Sequence, residues 1–172
     1  MNNAKIPILG FAAASGTGKT TLLTQLIPLL KAQGLRIGLI KHSHHNIQID
    51  QPGKDSYRLR EAGASPVMLV SSHRRAIITE FEDIKEPVLD EQLLAFDQSH
   101  LDLMLVEGFK QSRFPKIELH RQALTSPLRY SSDPDIVAVA SDVPLDLPGS
   151  LTLLDLNRPE QIARFIIDRF LS

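Results

Sequence analysis

The chain has 172 residues, of which 42% are hydrophobic and 23% are charged, and its formal net charge is −1. This length and composition are ordinary for a globular protein with a sizeable core, and they predict a single domain over residues 1–172. A net charge near zero provides no broad field to attract nucleic acid or an anionic membrane, so neither is an expected partner. The absence of cysteine excludes disulfides and thiolate metal sites, which fits a cytoplasmic protein.

The most informative stretch lies near the N-terminus. An apolar run over 6–14 predicts a buried parallel strand, and it leads into Ser15-Gly-Thr-Gly-Lys-Thr-Thr21. A strand, a glycine-rich loop and a Lys-Thr pair that opens a helix are the context of a P-loop, which binds nucleotide phosphates. Gly16 and Gly18 allow backbone conformations in which several N–H groups point at one anion. The motif usually begins with glycine, whereas this chain has Ala13, which strand geometry tolerates.

The residues of this loop have predicted roles. The Lys19 ammonium reaches the β- and γ-phosphates, and the Thr20 hydroxyl ligates Mg²⁺. The start of the following helix supplies N–H donors and a positive dipole end. An ordinary glycine-rich βα turn is the alternative, but it leaves the Lys-Thr-Thr sequence unexplained. The predicted nucleotide-binding residues of the loop are Ser15, Gly16, Thr17, Gly18, Lys19, Thr20 and Thr21.

The chain then alternates between helix and strand. Apolar residues at helical spacing predict a helix over 20–33 that ends at Gly34, and 36–41 predicts a second parallel strand. A short helix is predicted over 56–62. The short connection Ser72-His-Arg74 between two β-rich runs predicts an antiparallel hairpin. These two runs are 66–72 and 75–81.

The second half of the chain predicts the rest of the sheet. Residues 121–134, rich in Ser, Pro and Arg, predict a mobile loop, and Asn157 with Glu160 predicts a capped start for the last helix. Together the elements predict an α/β fold of three layers, a P-loop NTPase domain with a mostly parallel sheet and one antiparallel hairpin excursion. The remaining predicted elements are a helix over 90–96 and strands over 101–106, 116–120 (whose place in the sheet is open), 136–140 and 151–156.

Three carboxylates are candidates for the same site, because ligands of open α/β sheets bind at the carboxyl ends of the strands. Glu107 follows an apolar strand directly, where an acid that holds Mg²⁺ is expected, and a surface residue in a turn is the alternative. Asp50 lies in the loop after the second strand and, on its own, is a common turn former. Asp142 follows another strand. It either accepts the N1–H and the exocyclic amine of guanine or caps a turn.

The loop after the second strand also contains His42, His44 and His45, which invite a metal-binding interpretation. Neither cysteine nor a helix-spaced partner accompanies them, so polar loop residues near the phosphates are the favoured interpretation. Lys41, at the end of the strand, is a candidate to face a ligand. No general base or arginine finger stands out. Because such a residue is worth a factor of about 10³–10⁵, slow turnover is expected.

Three stretches together resemble the molybdopterin-guanine dinucleotide biosynthesis adapter protein B family. The likeness extends over nearly the whole chain and also includes Val137-Ala-Val-Ala-Ser-Asp-Val-Pro144. The family also has Ala at the position of Ala13, where the general P-loop motif has glycine. The three stretches are residues 11–23, Gly38-Leu-Ile-Lys-His-Ser-His-His45 with Asp50 and Pro52-Gly-Lys-Asp-Ser-Tyr57, and Val106-Glu-Gly-Phe-Lys110.

The resemblance implies a GTP-binding protein with weak GTPase activity that works as a homodimer. Its implied partners are an enzyme that joins GMP to molybdopterin, and molybdopterin itself or other cofactor-maturation proteins. The wider class, which includes dethiobiotin synthetase, implies that Thr20, Asp50 and Glu107 surround Mg²⁺. A small-molecule kinase or dethiobiotin-synthetase-like ATP-dependent enzyme on the same fold is the alternative, and a metal chaperone that uses the His-rich loop is a third.

Overall fold

The structure is a computed structural model that describes residues 1–43 and 46–171. The chain divides into two compact units. The sheet unit comprises Met1–His42 and Pro87–Ser172, and the hairpin unit comprises Ser43–Glu86. The single domain expected over residues 1–172 stays a prediction.

The predicted strands and helices form where the sequence places them, with bounds that differ by a few residues. The exception is the helix predicted over 90–96, where only one short turn of helix forms. Within the described residues, none of the helices is long and apolar enough to cross a bilayer. In chain order the elements are β1 (Ile8–Ala13), α1 (Lys19–Ala32), β2 (Ile37–Lys41), α2 (Asp55–Glu61), β3 (Val67–Val70), β4 (Arg75–Ile78), α3 (Leu89–Gln92), β5 (Leu103–Glu107), β6 (Lys116–His120), β7 (Ile136–Ser141), β8 (Thr152–Asp155) and α4 (Pro159–Phe170).

Six strands of the sheet unit form one parallel sheet, in the order β2-β5-β1-β6-β7-β8. The P-loop strand β1 therefore lies between β5 and β6. β6, whose place the sequence left open, pairs with β1 on one side and β7 on the other. β3 and β4 form a separate antiparallel sheet in the hairpin unit. The predicted α/β fold with a mostly parallel sheet and an antiparallel hairpin is confirmed.

The two faces of the large sheet bury different side chains, because successive residues of a strand point to opposite faces. On one face, residues such as Ile117 pack with the apolar sides of α1 and α4. On the other, Met104 packs with Leu89 in a second apolar cluster. Lys116 and Glu118 alternate with Ile117 along β6 and are also buried, at 4% and 3% exposure. Charged side chains are therefore part of the interior of the second face.

The start of the last helix differs from the prediction. α4 begins at Pro159 with Arg158 as its N-cap, and no described side chain caps it. Asn157 instead donates its N–H to Asp155 Oδ1 over 2.8 Å. Pro159 suits a first helical position, since it has no N–H to satisfy there. The predicted capping box of Asn157 and Glu160 is therefore wrong.

The hairpin unit exposes an apolar face. Met68 and Ile77 lie directly opposite each other across the β3–β4 pair, and Val70 follows on the same face. All three side chains are more than half exposed, at 55%, 54% and 75% respectively. A cluster of this kind is typical of a surface that contacts another molecule.

Candidate nucleotide-binding site

The predicted P-loop connects β1 to α1. Ala13 is the last residue of β1, as its place in the motif requires, and Lys19 is the first residue of α1. The backbone turns at Gly16 and Gly18 with φ angles of 80° and 95°, which residues with a Cβ rarely adopt. The first backbone hydrogen bond of α1 runs from Leu22 N–H to Gly18 O over 2.8 Å. The N–H groups of the preceding helical residues are therefore left for a ligand.

A side chain within the loop fixes its shape. Thr17 is 2% exposed, and its hydroxyl donates to the carbonyl oxygen of Ala14 over 2.9 Å. This bond spans three residues and needs no partner from another element. Ser15, Thr20 and Thr21 are exposed on the loop and the first turn of α1. The predicted phosphate-binding residues therefore lie together at the carboxyl end of β1.

Glu107 lies beside this loop. It ends β5, in register with Phe11 of β1 and with Lys41 of β2. Lys19 Nζ is 3.3 Å from Glu107 Oε1, and Lys41 Nζ is 3.5 Å from Oε2. The Glu107 side chain is only 15% exposed, so solvent screens these ion pairs less than it would on an open surface. The structure thus brings together the predicted phosphate-binding lysine and a predicted Mg²⁺-binding carboxylate.

The backbone around Glu107 is closely packed. The N–H of His42 donates to Glu107 O over 2.8 Å. Gly108 has a φ of 94°, and a Cβ at this position would lie 2.7 Å from His42 Cβ, so glycine is required. His44 and His45 lie outside the described residues. Within the described part of the chain, no group of three or more His, Cys, Asp or Glu side chains is placed to hold a metal ion.

Asp142 is connected to the P-loop through a residue that the sequence did not single out. Gln122 N–H donates to Asp142 Oδ1 over 2.9 Å, and Arg121 Nη1 lies 3.5 Å from Asp142 Oδ2. Arg121 Nε also donates to the carbonyl oxygen of Thr17 over 3.2 Å. A carboxylate has about four acceptor positions, so these contacts leave room for a guanine edge. Both interpretations of Asp142, base contact and turn cap, stay open.

The register of the sheet is the observation that brings Arg121 into the site. Leu119 of β6 is paired with Ala13 of β1 and with Ala140 of β7. The residue that follows β6 therefore emerges between the P-loop and the end of β7, where Asp142 lies. The sequence alone did not place β6 in the sheet, so it gave no reason to select Arg121 from a segment rich in Arg and Ser.

The connection from β6 to β7, predicted as a mobile loop over 121–134, is anchored by buried charges. The Glu118 carboxylate accepts the N–H groups of Arg129 and Tyr130 over 2.6 and 3.0 Å. Lys116 Nζ donates to Asp133 Oδ2 over 3.1 Å. Burial raises the pKa of the Glu118 carboxyl above its ordinary value, and the two N–H donors oppose this shift. The segment is irregular but well connected to the strand beneath it.

A cleft of about 410 Å³ adjoins Lys19 on the side of the β5–β6 connection. Its volume is in the range of small-molecule sites, about 300–1,000 Å³. Basic side chains outnumber acidic ones around it, which favours an anionic occupant. Besides Lys19, its charged lining residues are Lys110, Arg113, Lys116, Arg129, Asp133 and Asp135.

Asp50, the remaining predicted Mg²⁺ ligand, belongs to the hairpin unit. Its Oδ1 accepts the N–H of Gln51 over 2.9 Å. Among the described residues its Oδ2 is buried without a hydrogen-bond partner. A buried carboxylate oxygen normally has a partner, so this atom is a candidate for contact with a ligand or an ion.

Comparison with known proteins identifies the family. The family model of molybdopterin guanine dinucleotide synthesis protein B, MobB, matches residues 8–142, which include the P-loop, Glu107 and Asp142. The chain belongs to the MobB family. It is 53% identical over 167 residues to the molybdopterin-guanine dinucleotide biosynthesis adapter protein of Haemophilus influenzae, covering 96% of this chain and 90% of that protein. It is 52% identical over 166 residues to the protein of the same name from Escherichia coli, covering 95% and 93%.

A solved structure shows the same fold. A crystal structure of a molybdopterin-guanine biosynthesis protein B matches with a TM-score of 0.72 and 26% sequence identity. The match covers 94% of this chain and 98% of the crystallised one. The family resemblance noted from the sequence is therefore confirmed over nearly the whole chain, and the fold is confirmed with it.

Proposed function

We propose that this chain is a GTP-binding adapter protein of molybdopterin-guanine dinucleotide biosynthesis, located in the cytoplasm, with at most slow Mg²⁺-dependent GTP hydrolysis. The observation that carries the proposal is the P-loop at the centre of the sheet, with Lys19 Nζ 3.3 Å from the Glu107 carboxylate of the neighbouring strand. Two relatives that share more than half of their aligned residues with this chain are named as adapter proteins of that pathway.

The triphosphate would be held by the loop and the start of α1. A polyphosphate carries more negative charge than one carboxylate, so it competes with Glu107 for the Lys19 ammonium. The backbone N–H groups at the start of α1 add donors that point at the same anion. The proposed phosphate-binding residues are Ser15, Gly16, Thr17, Gly18, Lys19, Thr20 and Thr21.

Mg²⁺ would be held by Thr20, Glu107 and Asp50. Hydroxyl and carboxylate oxygens are the donors that this ion prefers, and the ion would neutralise charge on the phosphates when bound. The assignment of Asp50 rests on the family resemblance and is supported by its buried oxygen without a partner. We expect Glu107→Gln and Asp50→Asn each to raise the Mg²⁺ concentration needed for GTP binding, with exposed Asp55→Asn as the control. An unchanged requirement in both variants would contradict the assignment.

Asp142 would select guanine, because a carboxylate can accept hydrogen bonds from the N1–H and the exocyclic amine of guanine. Adenine lacks this pair of donors. The test is competition of ATP against GTP on the purified protein, with and without Mg²⁺. We expect GTP to bind more tightly and Asp142→Asn to narrow the difference. Equal affinities in the wild-type protein would remove Asp142 from the base site and weaken the adapter proposal.

A binding role is favoured over rapid chemistry because two relatives that are 53% and 52% identical to this chain are named as adapter proteins. The alternative, a small-molecule kinase or a dethiobiotin-synthetase-like enzyme, predicts several turnovers per second with some acceptor. Screening acceptors, pterins included, for phosphoryl transfer would separate the two.

The metal-chaperone alternative predicts tight transition-metal binding that is lost on changing His44 and His45, and a metal titration tests it.

The proposed partners are a second copy of this chain, the enzyme that joins GMP to molybdopterin, and molybdopterin itself. The exposed apolar face of Met68, Val70 and Ile77 supports the homodimer. We expect Val70→Asp to shift the protein towards monomer in sedimentation analysis, whereas Arg74→Asp in the hairpin turn serves as the control. A Val70→Asp protein that dimerises as the wild type does would exclude this face as the interface.

A further inference from the structure

We infer that Arg121 is a positioning residue that couples the P-loop to the base-reading carboxylate of Asp142. The inference rests on the proposed GTP binding, since it gives Arg121 a part in that site. It goes beyond that proposal by making phosphate binding and base discrimination depend on one side chain.

The contacts of the guanidinium support this role. Arg121 Nε donates to Thr17 O over 3.2 Å, and Nη1 lies 3.5 Å from Asp142 Oδ2. The third nitrogen, Nη2, is 3.6 Å from the position that a Cβ of Gly18 would take. One planar group therefore bonds to Thr17, lies beside Gly18 and pairs with Asp142 just after β7.

The effect on the P-loop follows from the direction of the Thr17 peptide. The Thr17 carbonyl points towards Arg121, whose Nε donates to it. The N–H of the same peptide group, which belongs to Gly18, points in the opposite direction because the peptide is planar and trans. Arg121 therefore helps to fix the direction of the Gly18 N–H, which the proposed function assigns to phosphate binding.

The effect on Asp142 concerns the direction of its carboxylate. Arg121 holds Oδ2, and the backbone N–H of Gln122, the next residue, holds Oδ1. Two contacts from one short stretch fix both oxygens, so the carboxylate presents its free lone pairs in one direction. Selection of guanine requires such a fixed pair of acceptors.

Arginine suits this task better than lysine. The guanidinium donates from several nitrogens in a rigid plane, whereas an ammonium is a point charge. The Arg121 side chain is 36% exposed, so its remaining donors are open to a ligand. We therefore expect lysine at this position to retain the attraction to Asp142 but to lose the simultaneous bond to Thr17 O.

The experiment compares GTP with inosine triphosphate, which lacks the exocyclic amine of guanine. We measure the Kd of both nucleotides for the wild type, Arg121→Ala, Arg121→Lys and Arg164→Ala. We expect Arg121→Ala to lower the affinity for GTP by a factor of about 10–100, the usual effect of losing a hydrogen bond to a charged group. We also expect a smaller preference for GTP over inosine triphosphate. Arg121→Lys should recover part of the loss.

Arg164→Ala is the matched control. It removes an exposed arginine of α4 that has no part in the proposed site, so both affinities should equal those of the wild type. Asp142→Asn should reduce the same preference, and the double variant with Arg121→Ala should reduce it no further. Additive losses would indicate that the two residues act separately and would overturn the inference.

A purely structural role gives a different result. If Arg121→Ala lowers the affinity for both nucleotides by the same factor, or binds GTP as the wild type does, the inference is overturned while GTP binding stands. If the wild type itself binds neither nucleotide, the proposed function fails first. Thermal unfolding of each variant shows whether it is folded, and Arg121→Lys provides the test if the alanine variant is not.

Discussion

The P-loop and the start of the β6–β7 connection lie at the same edge of the sheet, but different interactions hold the two segments. The P-loop is shaped by its own residues: Gly16 and Gly18 take positive φ angles, and Thr17 bonds to Ala14. The connection over 121–135 depends on side chains of the strands, above all Glu118 beneath it. The first is a local structure and the second is a tertiary one.

This difference has a consequence for mutations. In the P-loop, a substitution should change ligand binding more than stability, because few contacts between the loop and the rest of the chain would be lost. In the β6–β7 connection, loss of one buried anchor should change stability first, since it leaves partly buried backbone donors without acceptors.

The largest expected effect on stability is that of Glu118→Ala. The change removes the acceptor for the N–H groups of Arg129 and Tyr130 at a site of 3% exposure. We expect the free energy of unfolding to fall by about 2–4 kcal/mol, measured by urea denaturation. Glu118→Gln keeps one acceptor oxygen and should lose less. If the alanine variant is as stable as the wild type, the anchor is unimportant.

The pH dependence of stability also tests the burial of the Glu118 carboxyl. Burial raises the pKa of Glu118 in the folded chain, so between the unfolded value of about 4.3 and the higher folded value only the folded state holds the proton. The free energy of unfolding should therefore fall as pH rises through this window. We expect the wild type to lose stability relative to Glu118→Gln as pH rises from about 4. Parallel pH profiles would contradict the burial of a titrating carboxyl.

A smaller effect is expected for Gly16→Ala in the P-loop. Nothing lies within 4 Å of the added Cβ, so the cost comes only from the φ of +80°. We expect a loss of about 1–2 kcal/mol in thermal unfolding and a larger relative loss of GTP affinity. A variant with impaired stability but unimpaired GTP affinity would show that the loop conformation is not needed for binding.

The smallest effect is expected for Arg113→Ala at the edge of the connection. Arg113 pairs with Asp135 over 2.7 Å, but its side chain is 76% exposed. Exposed ion pairs contribute little, so the free energy of unfolding should change by less than about 1 kcal/mol. A loss as large as that of Glu118→Ala would show that surface and buried anchors are equally important.

The same contrast explains what the sequence could predict. The P-loop, its strand and its helix were predictable because glycine, Lys19 and the apolar run act locally. Glu107 was predictable because it directly follows a buried strand. Arg121 and the ion pair of the buried Lys116 with Asp133 were not predictable, because the role of each depends on β6 lying between β1 and β7. The cap predicted at Asn157 failed because the proline two residues later sets the start of α4.

The central claim is that the loop around Gly16 and Gly18, with Lys19, binds a nucleoside triphosphate. Calorimetric titration of the wild type, Lys19→Ala and Lys31→Ala with GTP and Mg²⁺ tests it most directly. Lys31 is an exposed lysine in the last turn of the same helix. We predict saturable binding to the wild type and to Lys31→Ala, and none to a folded Lys19→Ala protein. Equal affinity of all three proteins would contradict the claim.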